Sequence, residues 1–125
     1  MKTIPSKPIP TEYEEQRAVC RYLDFLGLKY VHITNEGLRS QRTGYMLKQI
    51  GLQKGFPDLF ILLPRGRYHG LAIEMKSLKG RPTAEQLVWI KELNKLGYRA
   101  EICKGFGEAK DCIDRYIRSG TNDKG

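Results

Sequence analysis

Apolar residues recur at helical spacing in three stretches of the chain, residues 11–26, 83–96 and 108–117. Each stretch has an apolar stripe on one face and polar residues on the other, which is typical of amphipathic helices. The first opens with an acidic turn and ends at Gly27, and the second begins with the capping-box sequence Thr83-Ala-Glu-Gln86. The inward face of the second helix is predicted to carry Leu87, Ile90, Leu93 and Leu96.

Four other stretches are rich in β-branched, aromatic or continuously apolar residues, which favours strands. These stretches are residues 28–34, 58–63, 68–76 and 98–103. The turn-like segment 64–67 predicts an antiparallel hairpin between the second and third strands. The helix at residues 83–96 predicts a parallel crossover between the third and fourth. A short helix over residues 44–50 remains an alternative to a loop.

The element order αβββαβα predicts an α/β fold in which a mixed β-sheet is flanked by helices. A chain of 125 residues fits one domain. We expect that domain at residues 11–118, with a flexible N-terminal arm at 1–10, which holds three prolines, and a flexible tail at 119–125. No apolar run is long enough for a membrane span and the first residues lack the apolar core of a secretory signal, so we expect a cytoplasmic protein.

The charge of the chain points to a polyanionic partner. A formal net charge of +8 and a pI near 9.5 favour nucleic acid over other partners. Three cysteines without a C-x-x-C spacing and only two histidines argue against a zinc cage. Any metal would therefore be held by oxygen ligands, which favours Mg²⁺ or Mn²⁺.

Two carboxylates and a lysine are predicted to meet at one end of the hairpin. Asp58 opens the first of its strands, and Glu74 and Lys76 close the second. Strand side chains alternate between faces, so Glu74 and Lys76 point the same way while Met75 turns into the core. Carboxylates can hold a divalent cation and the lysine can activate water or neutralise phosphate charge, which is what phosphodiester hydrolysis requires. A solvated strand end would also explain Glu74 and Lys76, but not their match with Asp58.

Basic residues flank these strands, and each by itself is an ordinary solvated side chain. Together they predict a groove for the phosphates of DNA. The candidates are Arg39, Arg42, Lys48, Lys54, Lys79 and Arg81, with Arg65 and Arg67 expected near the same strand end.

The segments Gly55-Phe-Pro-Asp-Leu59, Ala72-Ile-Glu-Met-Lys76 and Thr83-Ala-Glu-Gln86 together resemble the PD-(D/E)xK nuclease superfamily. They are most similar to the VRR-NUC family, including its small stand-alone phage and bacterial members, over residues 11–117. The resemblance implies a restriction-endonuclease-like core. It also implies that Asp58, Glu74 and the backbone carbonyl of Met75 bind the metal, that Lys76 is the catalytic lysine and that Gln86 belongs to the active site.

The superfamily usually adds a glutamate from the first helix, and this chain offers Glu12 and Glu15. We favour Glu15, which shares a helix face with Val19, Tyr22 and Leu26, but Glu12 remains open. A solvated helix start would explain either residue.

The resemblance implies a DNA endonuclease that depends on Mg²⁺ or Mn²⁺ and selects branched DNA. A Holliday-junction resolvase that acts as a homodimer is the main hypothesis, because a two-fold symmetric junction calls for two active sites. A restriction-like, flap or nicking nuclease is the first alternative. A non-catalytic nucleic-acid-binding module is the second, and a structural protein with an acidic partner is the third.

Overall fold

The computed structural model describes residues 11–33, 41–51 and 53–120, with the backbone alone for residues 41–44. Its elements are α1 (Glu12–Leu26), β1 (Tyr30–His32), α2 (Gln41–Gln49), β2 (Leu59–Ile61), β3 (Leu71–Lys76), α3 (Ala84–Lys95), β4 (Arg99–Lys104) and α4 (Gly105–Ser119). The α/β order predicted from the sequence is confirmed, and α2 is the additional short helix that the sequence left open. Arg39, the predicted arm and all of the predicted tail except Ser119 and Gly120 lie outside the described residues.

The four strands form one sheet in the order β1-β2-β3-β4. The first two pairings are antiparallel, and β3 and β4 are parallel because α3 returns the chain to the starting end of β3. In the β2–β3 hairpin Leu59 pairs with Ile73 and Ile61 with Leu71. This register fixes which residues meet at the two ends of the hairpin.

The sheet buries a different layer on each face. On one face α1 and α4 cover the alternate strand residues Leu71, Ile73 and Met75, which are all fully buried. On the other face α3 covers a smaller cluster built on Ala72, Leu93 and Ala100, with Phe56, Phe60, Trp89, Ile90 and Tyr98 packed around it. The alternation predicts that Glu74 and Lys76 also point towards the α3 side, at the end of β3.

Two expectations about the helices need correction. Leu87 of α3 and Leu96, the residue that follows the helix, are half-exposed, at 50 % and 56 %, so the buried face of this helix is narrower than its sequence pattern suggested. Within α3 only Leu93 is buried, against Ala72 and Ala100, while Trp89 and Ile90 are partly buried beside it. The last helix begins at Gly105, three residues before its predicted start at Glu108. None of the helices in the described ranges has the length and apolar character needed to cross a membrane.

Candidate active site

The candidate site lies where β2 begins and β3 ends. Extending the hairpin register by one residue places Asp58 opposite Glu74. The backbone N–H of Met75 donates a hydrogen bond of 3.0 Å to Oδ2 of Asp58, which ties the aspartate to the end of β3. The predicted convergence of Asp58 with Glu74 and Lys76 at one strand end is therefore present in the structure.

Three carboxylates meet at this point. Glu12, Asp58 and Glu74 each offer one oxygen, and these oxygens all lie within 4.8 Å of one another. Glu74 is only 2 % exposed and Asp58 only 9 % exposed. Such a group is costly to bury without a cation, because like charges repel strongly where water cannot screen them.

The electrostatics of Glu74 show this cost. Burial first, and then the neighbouring Asp58 carboxylate, raise the pKa of Glu74 to about 9, while the charge of Lys76 opposes the shift. Oε1 of Glu74 is buried without a hydrogen-bond partner among the described residues. A buried oxygen that lacks a donor, inside a cluster of carboxylates, fits the oxygen-ligand set that Mg²⁺ and Mn²⁺ prefer.

Lys76 and Gln86 approach the other oxygen of Glu74. Nζ of Lys76 is 3.7 Å from Oε2 of Glu74, and the side chain of Lys76 is only 12 % exposed. Nε2 of Gln86 donates a hydrogen bond of 3.0 Å to the same oxygen. The lysine thus faces the acidic cluster rather than solvent.

Gln86 also closes the capping box of α3. Its side-chain Oε1 accepts a hydrogen bond of 2.9 Å from the backbone N–H of Thr83. The backbone N–H of Gln86 donates one of 3.2 Å to Oγ1 of Thr83. Because the amide oxygen is held by the cap, the amide nitrogen is turned towards Glu74. The residue therefore stabilises the start of α3 and reaches the site with the same side chain.

Glu15, the first-helix carboxylate favoured from the sequence, does not join the cluster. Its carboxylate accepts a hydrogen bond from the backbone N–H of Phe106, in the first turn of α4. The face that Glu15 shares with Val19 packs on α4. Glu15 therefore lies at the N-terminus of α4, where a negative charge is favourable. Glu12, at the first position of α1, is the residue that the structure brings to Asp58 and Glu74.

The predicted DNA-binding residues differ in where they lie relative to the acidic cluster. Lys79 and Arg81 are exposed in the segment that follows β3, at the same end of the sheet as the acidic cluster. Lys54 is exposed beside the start of α3 and forms a loose ion pair with Glu85, at 3.9 Å. Lys48 is exposed on α2, whereas the side chain of Arg42 and the whole of Arg39 lie outside the described set.

Arg65 and Arg67 do not lie where the sequence suggested. They belong to the turn between β2 and β3, and the bridge between Arg65 and Tyr68 closes that turn. Asp58 starts β2 and Lys76 ends β3, so the turn is at the opposite end of the hairpin. Arg65 follows Asp58 by seven residues, which in an extended chain corresponds to about 20–25 Å. The expectation that these arginines flank the acidic cluster was wrong.

Gly55 opens one of the three motif segments, but no role was predicted for it from the sequence. Its φ of +90° lies in the left-handed region, and a Cβ there would be 2.8 Å from the backbone carbon of Glu85 and 3.0 Å from the nitrogen of Gln86. The glycine therefore lets the chain before Asp58 run against the first turn of α3. Nε1 of Trp89 strengthens this contact by donating to the carbonyl of Lys54 at 3.1 Å.

We predict that Gly55→Ala destabilises the protein by about 2–4 kcal/mol, through left-handed strain and backbone displacement. We also predict about 10- to 100-fold slower cleavage of nucleic acid, because Gln86 and Glu74 would be displaced together. Gly51→Ala is the matched control: its φ is +102° and a Cβ would meet nothing within 4 Å. Chemical denaturation and single-turnover cleavage should separate the two variants, and equal losses in both would contradict this role for Gly55.

Carboxylates beside a lysine, at the end of a mixed sheet, define the class: the fold and site are of the PD-(D/E)xK nuclease type. The family model of the VRR-NUC domain matches residues 4–107. A solved structure described as a VRR_NUC domain protein is 30% identical, with a TM-score of 0.79, over 91% of this chain and 93% of that chain. A second, described as a VRR_NUC domain, is 24% identical with a TM-score of 0.59, over 86% of this chain and 99% of that one, and shows a likeness of fold. No curated protein matches the chain.

The chain therefore belongs to the VRR-NUC family, since the family model covers most of its length. Membership makes it a nuclease of the PD-(D/E)xK type. The acidic cluster of Glu12, Asp58 and Glu74 is consistent with the metal site typical of such nucleases.

Proposed function

We propose that the protein is a divalent-metal-dependent, structure-selective DNA endonuclease that hydrolyses phosphodiester bonds in branched DNA and acts as a homodimer. One observation carries the proposal: three carboxylates whose oxygens lie within 4.8 Å of one another, with the ammonium of Lys76 3.7 Å from the most buried of them. As a purely structural feature this arrangement would only destabilise the chain. As a cation site next to a reacting phosphate, the arrangement would bind the metal that phosphodiester hydrolysis requires.

Glu12, Asp58 and Glu74 are the side chains that would hold the cation, with the backbone carbonyl of Met75 as a further ligand. When bound, Mg²⁺ or Mn²⁺ supplies a Lewis acid that polarises the scissile phosphodiester and acidifies the attacking water. The N–H of Met75 orients Asp58, and Nε2 of Gln86 orients Glu74. These two hydrogen bonds keep the carboxylates in place before any substrate arrives.

Lys76 acts on the substrate from the same strand. Its stem is largely buried, so the ammonium is held at the cluster. From that position it orients the attacking water and neutralises the charge that builds on the phosphate oxygens in the transition state. Gln86 fixes the Glu74 oxygen nearest to the ammonium, and this prevents Glu74 from rotating away from the reacting phosphate.

Positive charge supports DNA as the substrate. The chain carries 22 lysines and arginines against 14 acidic residues. Lys54, Lys79 and Arg81 are exposed near the site, and Lys48 is exposed on α2. We propose from their place in the sequence that Arg39 and Arg42 also bind DNA.

The homodimer follows from the substrate that we propose. A four-way junction has two equivalent strands to cut, and a C2 dimer presents two equivalent sites to them. Size-exclusion chromatography with light scattering should give twice the 14.4 kDa mass of the chain. A monomer under the conditions of cleavage would contradict paired cutting by a dimer but not the proposed nuclease activity.

The test of the proposed function compares a labelled four-way junction with a matched linear duplex and a matched flap, in Mg²⁺, in Mn²⁺ and in EDTA. We expect paired, symmetric cuts near the branch point that disappear in EDTA and with Lys76→Ala. Lys91→Ala, which changes an exposed lysine of α3, is the matched control and should cut normally. Equal cutting of all three substrates would contradict the proposed selectivity for branched DNA. If none of the three is cut, the proposal that the protein is a DNA endonuclease is wrong.

A further inference from the structure

One face of α1 lines a cavity that the reaction described above does not use. The residues at positions 12, 13, 16, 17 and 20 follow one another at helical spacing on that face. With His32 of β1 they line a cavity of about 410 Å³ that is open to solvent. Val19 and Leu23 lie on the adjacent face of the helix and are fully buried.

This cavity and the acidic cluster share a wall. Glu12 contributes an oxygen to the cluster and also lines the cavity. On the other side, His32 pairs with Leu59, and the N–H of Ile33 donates to the carbonyl of Asp58 at 2.7 Å. A group seated in the cavity is therefore directly beside a phosphate held at the cluster.

The lining has the chemistry of a nucleobase site. Tyr13 offers an aromatic ring that is 74 % exposed, and exposed rings of this kind stack on bases of any sequence. Gln16 has an amide that both donates and accepts hydrogen bonds, as the edge of a base requires. Arg17 lines the cavity and is exposed, so its guanidinium can contact the sugar–phosphate backbone. The volume suits a ligand of nucleoside size and is too small for a paired duplex.

We propose that this cavity, the nucleoside cavity, receives one unpaired base of the DNA strand that is cut, next to the scissile phosphate. The inference rests on the proposed function and supplies a cause for its selectivity. Taking a base out of a regular duplex costs unstacking and unpairing energy, and this cost is smaller at a branch point, where stacking is interrupted and, in a flap, pairing as well. A site that requires an extruded base will therefore cut branched DNA faster than linear duplex.

Photo-crosslinking tests occupancy of the cavity without cleavage. A flap substrate with 5-iododeoxyuridine at its first unpaired position is bound in EDTA, irradiated and analysed by mass spectrometry of the crosslinked peptides. We expect the adduct on the peptide that contains Tyr13, retained with Tyr13→Phe and lost with Tyr13→Ala. Phe25→Ala removes an exposed ring (84 % exposed) near the far end of the same helix and should not change the yield. An adduct that maps elsewhere, or that survives Tyr13→Ala, overturns the proposal.

Cleavage kinetics test the consequence for the reaction. Once the cut is mapped, the nucleotides on its two sides are replaced in turn by an abasic analogue. Tyr13→Ala and the abasic change on one side should each slow single-turnover cleavage about ten-fold, and together they should slow it no more than either alone. Independent, multiplying effects, or none at all, would overturn the nucleoside cavity while the nuclease stands. A Tyr13 crosslink without any cleavage would keep the cavity and remove the proposed enzyme.

Discussion

Asp58→Asn is expected to lower the rate of DNA cleavage at least about 1000-fold while leaving DNA affinity and folding close to those of the unchanged protein. The carboxylate supplies one of three charged oxygens in the cluster, and an amide oxygen is a much weaker ligand for a divalent cation. The fold should survive, because asparagine still offers an oxygen to the N–H of Met75, now 3.0 Å from Oδ2. Single-turnover cleavage in saturating Mn²⁺ and DNA binding in EDTA measure the two effects separately.

Asp111→Asn makes the same chemical change at an exposed position of α4 and should cut at the normal rate. Residual activity within ten-fold of the unchanged protein would show that Asp58 does not hold the cation. A parallel loss of DNA binding would mean that the negative charge is needed to shape the DNA-binding surface rather than for catalysis. DNA binding that is insensitive to Asp58→Asn and lost at high salt, with no cleavage by either protein, would favour the non-catalytic binding module.

The convergence of Asp58, Glu74 and Lys76 could be predicted from the sequence because it depends on local rules. Alternation places Glu74 and Lys76 on one side of β3. A short turn then fixes the antiparallel register, in which Leu59 pairs with Ile73. The same rule also locates Arg65 and Arg67: a turn joins the ends of a hairpin opposite to the ends that carry Asp58 and Lys76, and this could have been recognised from the sequence.

The choice between Glu12 and Glu15 could not be predicted in the same way. Both residues lie in the first turn of α1, and helical periodicity alone does not say how the helix is rotated against the sheet. That rotation depends on where α4 begins. Its N-cap, Lys104, makes no side-chain cap hydrogen bond, and the Phe106 N–H is instead satisfied by Glu15 from 91 residues earlier in the chain. The cap of α4 is a tertiary contact, so neither its start nor the role of Glu15 has a local signal.

Gly55 illustrates a third kind of limit. A glycine before Phe-Pro-Asp is easily taken for an ordinary loop residue, and nothing nearby in sequence reveals that α3 passes within 3 Å of its missing Cβ. Gln86 lies in the same contact. Its capping-box position was recognised from the sequence, but its second hydrogen bond, to Glu74, depends on how α3 docks on the sheet. For a side chain with one local and one long-range partner, the sequence pattern predicts the local contact but not the long-range one.

In metal-free buffer, Glu74→Gln is expected to make the protein more stable than the unchanged chain at neutral pH. The pKa of Glu74 is raised from 4.5 to about 9, first by burial and then by Asp58. Between these values the unfolded chain carries the ionised carboxylate, and the folded chain must keep it protonated. Stability is therefore highest below pH 4.5 and falls as the pH rises towards 9, by on the order of 1–3 kcal/mol at pH 7. Glutamine avoids this loss and can still accept from Gln86.

Thermal unfolding of both proteins from pH 4.5 to 9 in EDTA should show curves that meet near pH 4.5 and separate by several degrees at pH 8. Adding Mg²⁺ or Mn²⁺ should reverse the order, because a cation that binds the folded state at 100 times its Kd contributes about 2.7 kcal/mol, and Glu74→Gln loses one of its charged ligands. Glu92→Gln, at an exposed position of α3, should follow the unchanged protein throughout. Parallel pH curves in EDTA would mean that Lys76 already keeps Glu74 ionised, and equal stabilisation of both proteins by the cation would place the metal away from this cluster.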